Sequence, residues 1–196
     1  MEPRCATVTR KTKETEITIK ICLDGTGKCD VNTGIGFFDH MLDGFARHGL
    51  FDLELVCKGD LQVDSHHTIE DVGIVLGEAI KQALGDKNAI KRYGNMILPM
   101  DEALVLCAVD LSGRPYLCFD CEYTVPKIGE LDTEMIHDFF YAITYAAGMN
   151  LHIKKMSGTN NHHIAEGSFK AFAKALDMAT QKDDRITGVW STKGTL

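Results

Sequence analysis

Two five-residue stretches of this chain nearly repeat one another: His66-His67-Thr68-Ile69-Glu70 and His162-His163-Ile164-Ala165-Glu166. They hold four of the eight histidines, and each sets a glutamate three residues after its second His. On a helix, residues three or four apart share a face. His67 with Glu70, and His163 with Glu166, can therefore each grip one ion. The first His of each doublet, His66 or His162, points about a quarter-turn away and is free for a different ion. A doublet followed by Glu thus reads as half of a two-metal site, and two halves are present. Imidazole and carboxylate together suit Mn, Fe, Co, Ni or Zn.

Two further histidines stand at similar distances ahead of the doublets: His40, in Phe38-Asp39-His40-Met41, and His137, in Ile136-His137-Asp138. Each half of the chain then supplies three His and one Glu. The set His40, His66, His67, Glu70, His137, His162, His163 and Glu166 suffices for two four-ligand sites that keep positions open for substrate, as catalytic sites do. Aligning Gly49 with Gly148 leaves His137 two positions away from His40. His152 lies in a strand-like run and reads as structural, whereas His48, beside Gly49, is open to either role. Arg92, Arg114, Lys170 and Lys193 are candidates for binding phosphate. Arg114 sits beside the turn at Ser112-Gly113, and Lys170 is one helical turn past Glu166 and faces the same way. The terminal Trp190-Ser191-Thr192-Lys193-Gly194 combines an aromatic ring, a hydroxyl and a cation, and reads as a segment that docks.

These residues need elements to position them. Each doublet opens an amphipathic helix. The first carries Val72, Val75, Leu76, Ala79, Ile80 and Ala83 on one face, the second Phe169, Phe172, Leu176 and Ala179, both at helical spacing. A helix and then a strand precede each: Phe37–His48 and Leu50–Lys58 in the first half, Glu134–Gly148 and Asn150–Met156 in the second. Earlier still come strands, with Ile17, Ile19, Ile21 and Leu23 alternating in one half and Ala103–Asp110 running in the other. Alternation implies antiparallel strands with one packed face. The chain reads as α+β: two pseudo-symmetric ββαβα halves, 1–90 and 91–185, with helices on one face of mostly antiparallel sheets, followed by a tail, 186–196. Each amphipathic face needs a partner, so one fused body is expected rather than two beads.

Composition narrows the partners. A net charge of −7 argues against a nucleic-acid binder. No apolar run is long enough to span a bilayer, and no basic-then-apolar leader opens the chain. The seven cysteines, at 5, 22, 29, 57, 107, 118 and 121, are odd in number and scattered, and read as reduced core residues of a cytoplasmic protein. Cys118 and Cys121 form a CxxC, but on a strand positions three apart face opposite sides.

Seven motifs then resemble, in order and over nearly the whole chain, the imidazoleglycerol-phosphate dehydratases of histidine biosynthesis: Arg10-Lys-Thr-Lys-Glu14-Thr, Phe37-Phe-Asp-His40-Met-Leu, Arg47-His48-Gly, Asp64-Ser-His66-His67-Thr-Ile-Glu70-Asp-Val-Gly, Asp110-Leu-Ser-Gly-Arg114-Pro, Ile136-His137-Asp138-Phe and Asn161-His162-His163-Ile-Ala-Glu166-Gly-Ser-Phe-Lys170-Ala. The resemblance implies two Mn2+ ions on the eight ligands and dehydration of D-erythro-imidazole-glycerol phosphate to imidazole-acetol phosphate. It implies substrate contacts from Glu14, His48, Arg92, Arg114, Lys170, Ser191 and Lys193, with His40 facing substrate as well as metal. It also implies trimers packed into a cage of twenty-four subunits, with metal sites at subunit contacts.

That reaction removes a proton from a carbon that no carbonyl acidifies, so a metal on each ring nitrogen is expected to hold the imidazole as its anion. Glu14, which no metal claims, is the first candidate for proton transfer, with Glu166 or water as fallback. Adjacent histidines on a helix diverge, so each doublet should serve both ions. The expected division is His40, His67, Glu70 and His163 on one ion and His66, His137, His162 and Glu166 on the other. Neighbouring subunits complete each site if one chain does not gather all eight. A dinuclear phosphate-releasing hydrolase is one rival reading, disfavoured because these ligands are dominated by His; a non-enzymatic metal-buffering or structural cage, which would need the ligands but no phosphate clamp, is the other.

Overall fold

The structure, a computed structural model, describes residues 2–196. Alternating Ile17, Ile19 and Ile21 form the buried face of β2 (Thr15–Cys22), paired antiparallel with β1 (Cys5–Lys11) on one side and β4 (Asp52–Gly59) on the other. A short β3 (Cys29–Asn32) adds parallel to β4, giving the order β1-β2-β4-β3. The second half repeats this plan. β5 (Tyr93–Met100), β6 (Ala103–Asp110), β7 (Tyr116–Asp120) and β10 (Asn150–Ser157) pair in the order β5-β6-β10-β7, with β7 parallel to β10. A two-residue hairpin, β8 (Lys127–Ile128) and β9 (Leu131–Asp132), stands apart. Each half therefore holds one strand more than the alternation indicates. β3 and β7 are short and only half-buried, so they carry little apolar periodicity.

Four helices line the buried faces: α1 (Gly36–Gly49), α2 (His66–Leu84), α3 (Glu134–Ala147) and α4 (Asn161–Thr180). α2 packs on β1 and β2, and α4 on β5 and β6. The halves meet helix to helix, α2 against α3 and α1 against α4, with a sheet outside each layer. A seam of phenylalanines closes the junction. Phe38 of α1 meets Phe139 of α3 edge-on at 5.3 Å, Phe45 stacks on Phe172 of α4 at 5.5 Å, and Phe139 stacks on Phe169 at 5.1 Å. Such pairs add about 0.5–1.5 kcal/mol each beyond the area they bury. Where α2 crosses α3 the backbones approach closely. A Cβ at Gly77 would lie 2.7 Å from the Ile143 carbonyl oxygen and 2.7 Å from the Ala146 Cβ, so only glycine fits there.

α1 and α3 are both fourteen residues long, and both end on a left-handed residue, Leu50 and Gly148. Matching these caps makes His40 the fifth residue of its helix and His137 the fourth of its own. The offset is one position, not the two obtained by aligning Gly49 with Gly148. One position rotates a side chain by about 100°, so the two histidines leave their helices in different directions.

The cysteines depart from the expectation of a fully reduced set. Register puts Cys5 directly opposite Cys22 at the end of the β1–β2 ladder, and the two are joined as a disulfide. Cys57, Cys107 and Cys121 are buried and free, and burial pushes the Cys121 thiol up to about 11. Cys118 is exposed while Cys121 is buried, so the CxxC does not form a paired site. Among the described residues, no helix is long and apolar enough to cross a membrane.

Candidate active site and metal ligands

Both doublets sit at helix N-termini. α4 is capped by Asn160, whose side-chain oxygen accepts from the backbone N–H of His162 at 2.9 Å and of His163 at 3.4 Å. In front of α2, Asp64 accepts from the His66 N–H at 2.8 Å. These caps hold each doublet at the first turn, where its rings diverge: the two centroids lie 6.1 Å apart and nearly perpendicular in both cases.

Within each motif the glutamate pairs with the first His, not the second. His162 Nε2 lies 3.0 Å from Glu166 Oε2, and His66 Nε2 lies 3.7 Å from Glu70 Oε2. Side chains on a helix lean toward its N-terminus, so a glutamate reaches back to the ring four positions earlier. The second histidines turn elsewhere. His67 Nδ1 meets Asp60 at 3.0 Å, and His163 Nδ1 meets Glu102 at 2.7 Å. These contacts raise the pKa of both rings, the Asp60 hydrogen bond acting most on His67 and the Glu102 hydrogen bond most on His163. Glu102 is held down at about 2, chiefly by the His163 hydrogen bond.

One group converges inside the single chain. Because α1 packs on α4, ligand atoms of His40, His162 and Glu166 all lie within 4.8 Å of one another. His40 therefore sits with two members of the other expected set, and not with His67, Glu70 and His163. It is the one trio gathered this way among the described residues. His137 lies instead between Phe119 and Tyr141, with Asp138 at 3.0 Å from its Nδ1. Among the described residues, one chain by itself does not assemble two four-ligand sites. Most of these side chains are exposed, His40 by 51% and His137 by 53%.

Glu166 is the buried centre of the trio. Burial pushes its carboxyl up. The hydrogen bond and charge of Lys170, with Nζ 2.6 Å from Oε1, and the hydrogen bond from His162 outweigh that and hold it below its usual range. Lys170 thus faces the metal candidates, as its position one turn on requires. His48, near the end of α1, has its pKa lowered first by burial and then by the charges of Lys170 and Lys174.

Glu14 occupies the β1–β2 turn. Thr12 Oγ1 accepts from the Glu14 and Thr15 N–H groups at 3.1 and 3.0 Å, and Asp71 of α2 takes the Thr15 hydroxyl and Arg10 Nε. This ties the turn to the doublet helix and leaves Glu14 Oε1 3.6 Å from His67 Nε2. The β5–β6 turn does the same in the second half, with Asp101 Oδ2 3.7 Å from His163 Nε2. Asp60, Asp101 and Glu102 went unnoticed in the sequence. The signal for the last two was the repeat itself, since the hairpin turn that carries Glu14 in one half carries Asp101-Glu102 in the other.

The remaining cations are dispersed. Arg92 is buried, with Nε and Nη2 on Asp110 at 2.7 and 3.1 Å and Nη1 donating to the Trp190 carbonyl at 2.9 Å. It anchors the tail in this structure. Val189 bridges Asn88, and the Ala89 N–H donates to the Gly188 carbonyl, so this part of the 186–196 segment docks on residues 88–89. A cavity of about 500 Å3 opens there beside Asp183, Trp190 and Ser191. Arg114 lies exposed beside its turn, Lys193 is exposed, and His152 lies exposed on β10 beside Tyr116.

Clustered imidazole and carboxylate donors at helix ends, centred on the buried Glu166, give this protein a candidate metal site of the kind that metal-dependent enzymes carry. Comparison with known proteins agrees. The imidazoleglycerol-phosphate dehydratase family model matches residues 33–176. The imidazoleglycerol-phosphate dehydratase of Lachnoclostridium phytofermentans is 64% identical over 193 residues, covering 98% of both chains. That of Acetivibrio thermocellus is 62% identical over 189 residues, covering 96% of this chain and 97% of its own. Among solved structures, the Staphylococcus aureus dehydratase superposes with a TM-score of 0.82 at 38% identity, covering 91% of this chain and 99% of its own. The Pyrococcus furiosus enzyme, solved in complex with (S)-C348, gives 0.83 at 37%, covering 96% and 100%. The chain belongs to the imidazoleglycerol-phosphate dehydratase family and is accordingly a hydro-lyase.

Proposed function

We propose that this protein dehydrates D-erythro-imidazole-glycerol phosphate to imidazole-acetol phosphate in histidine biosynthesis, using a dinuclear Mn2+ site built from His40, His66, His67, Glu70, His137, His162, His163 and Glu166. The observation that carries the reading is the His40–His162–Glu166 trio, whose donor atoms lie close enough to share one ion and are of the type a borderline divalent metal takes. Two such ions, when bound, supply Lewis acidity that stabilises negative charge on the substrate's imidazole ring. The rest falls to the chain. Glu14, held by Thr12 and Asp71 beside His67, takes the proton from the hydroxyl-bearing carbon, with Glu166 as the fallback. The neighbouring hydroxyl leaves as water, and the resulting enol tautomerises to the ketone. His48 contacts the substrate as well, while Arg92, Arg114, Lys170, Ser191 and Lys193 fix the phosphate, which uses remote binding energy for orientation.

The exposure of His40, His66 and His137 supports sites completed by neighbouring copies, and the family resemblance implies a cytoplasmic assembly of twenty-four subunits built from trimers. Residues 1–90 and 91–185 act as its repeat units and 186–196 as a substrate-binding tail. Protein stripped of metal should be inactive and regain dehydration with Mn2+, giving the ketone and no free phosphate. Release of inorganic phosphate would favour a hydrolase instead. Sedimentation in EDTA should show a smaller particle, and an unchanged one would reject metal-dependent assembly.

A further inference from the structure

The second histidine of each doublet is gripped from outside its helix. His67 Nδ1 lies 3.0 and 3.2 Å from the two oxygens of Asp60, just past the end of β4, and His163 Nδ1 lies 2.7 Å from Glu102, on the β5–β6 turn. The two carboxylates come from different places in the repeat, yet both reach the same ring atom. The Glu102 side chain is 40% exposed, but its carboxylate is held by more than this contact. The Asp60 side chain is 17% exposed, and Glu102 Oε1 also accepts from the backbone N–H groups of Thr159 at 3.1 Å and Asn160 at 2.7 Å. Asn160 in turn caps the helix that carries His163.

A carboxylate can only accept a hydrogen bond from a neutral imidazole, so the ring proton must sit on Nδ1. The lone pair is then on Nε2, and in both halves Nε2 faces a hairpin-turn carboxylate across a gap: Glu14 at 3.6 Å and Asp101 at 3.7 Å. The first histidines lack such a grip. His66 Nδ1 is 4.0 Å from Asp138, which at 3.0 Å belongs rather to its neighbour His137.

We infer that Asp60 and Glu102 are positioning residues for the metal site: they hold the protons of His67 and His163 on Nδ1 and aim each Nε2 as the ligating atom. This rests on the metal reading above. Outer carboxylates of this kind typically change metal affinity by about 10–100-fold when removed.

The test uses full-length, metal-free protein carrying Asp60→Ala or Glu102→Ala. Calorimetric titration with Mn2+ should show a loss of about 10–100-fold in affinity in each variant. The 15N spectra of the metal-free imidazoles should show His67 or His163, respectively, losing its preference for the Nδ1–H form. Glu102 also binds backbone, so Glu102→Gln and Asp60→Asn keep the shape if an alanine variant does not fold, and should lose less affinity with the same direction of tautomer change. A merely structural role would lower thermal stability and leave the tautomer untouched. Unchanged Mn2+ affinity, or unchanged tautomers in folded variants, would overturn the inference. If the wild-type protein takes up no Mn2+, the metal reading fails, and the metal-free spectra still decide the role of the two carboxylates.

Discussion

Replacing Lys170 with methionine keeps the side-chain volume and removes the cation that neutralises Glu166. The two side chains are 18% and 10% exposed and 2.6 Å apart. Breaking a fully buried pair by removing one partner costs about 3–5 kcal/mol. Here some water reaches both groups, and His162 still lies 3.0 Å from Glu166. The expected loss is therefore about 1–3 kcal/mol, below the fully buried case. Its pH dependence has a definite sign. Lys170 helps hold the folded-state pKa of Glu166 below its ordinary 4.5. The pairing thus adds stability that is fully present above that value and is lost as pH falls through the folded value. In Lys170→Met the largest opposition to burial is gone and the His162 hydrogen bond remains, so the carboxyl pKa rises relative to the wild type, and the deficit is largest near neutrality and closes in acid. The assay is urea unfolding in EDTA at fixed protomer concentration, with Lys170→Met, Glu166→Gln and the double variant forming a cycle. A coupling below about 0.5 kcal/mol, within ordinary additivity error, would refute the account, as would a deficit that does not shrink with acid.

Glu14→Gln keeps the turn but not the base, so kcat should fall by about 10²–10⁴-fold with full metal content, as measured by steady-state kinetics beside metal analysis. Near-wild-type kcat would move the proton to Glu166 or water. Deleting 190–196 removes Trp190, Ser191 and Lys193 and frees Arg92 from its tail contact; KM should rise strongly while Mn2+ binding by calorimetry stays intact. Gly77→Ala forces a Cβ to within 2.7 Å of the Ile143 carbonyl oxygen. A loss of about 1–3 kcal/mol is expected for such overpacking, read as a lower Tm.

Apolar period 2 in β2 and β6 and period 3.6 in α2 and α4 are local properties of the chain, fixed by which residues must leave water together. They made the α+β class, the main strands and all four helices legible from the sequence, within a residue or two at the ends. β3 and β7 escaped because each is short and packed on only part of one face, so its pairing depends on β4 and β10 being there first. The Cys5–Cys22 bond escaped for a related reason, since strand register and not sequence spacing makes those two residues opposite. At the site, the sequence by itself determined which residue types recur and that Lys170 follows Glu166 by one turn, because helix geometry is local. It could not choose between three- and four-residue pairing. The lean of the side chains and the competing carboxylates Asp60 and Glu102 turned the second histidines away and left Glu166 to His162. That His40 joins this pair, that Arg92 holds the tail, and that His137 stands apart are consequences of α1 packing on α4 and of the tail folding back on residues 88–92. Those contacts join residues more than ninety positions apart, and only the closed core brings them within reach.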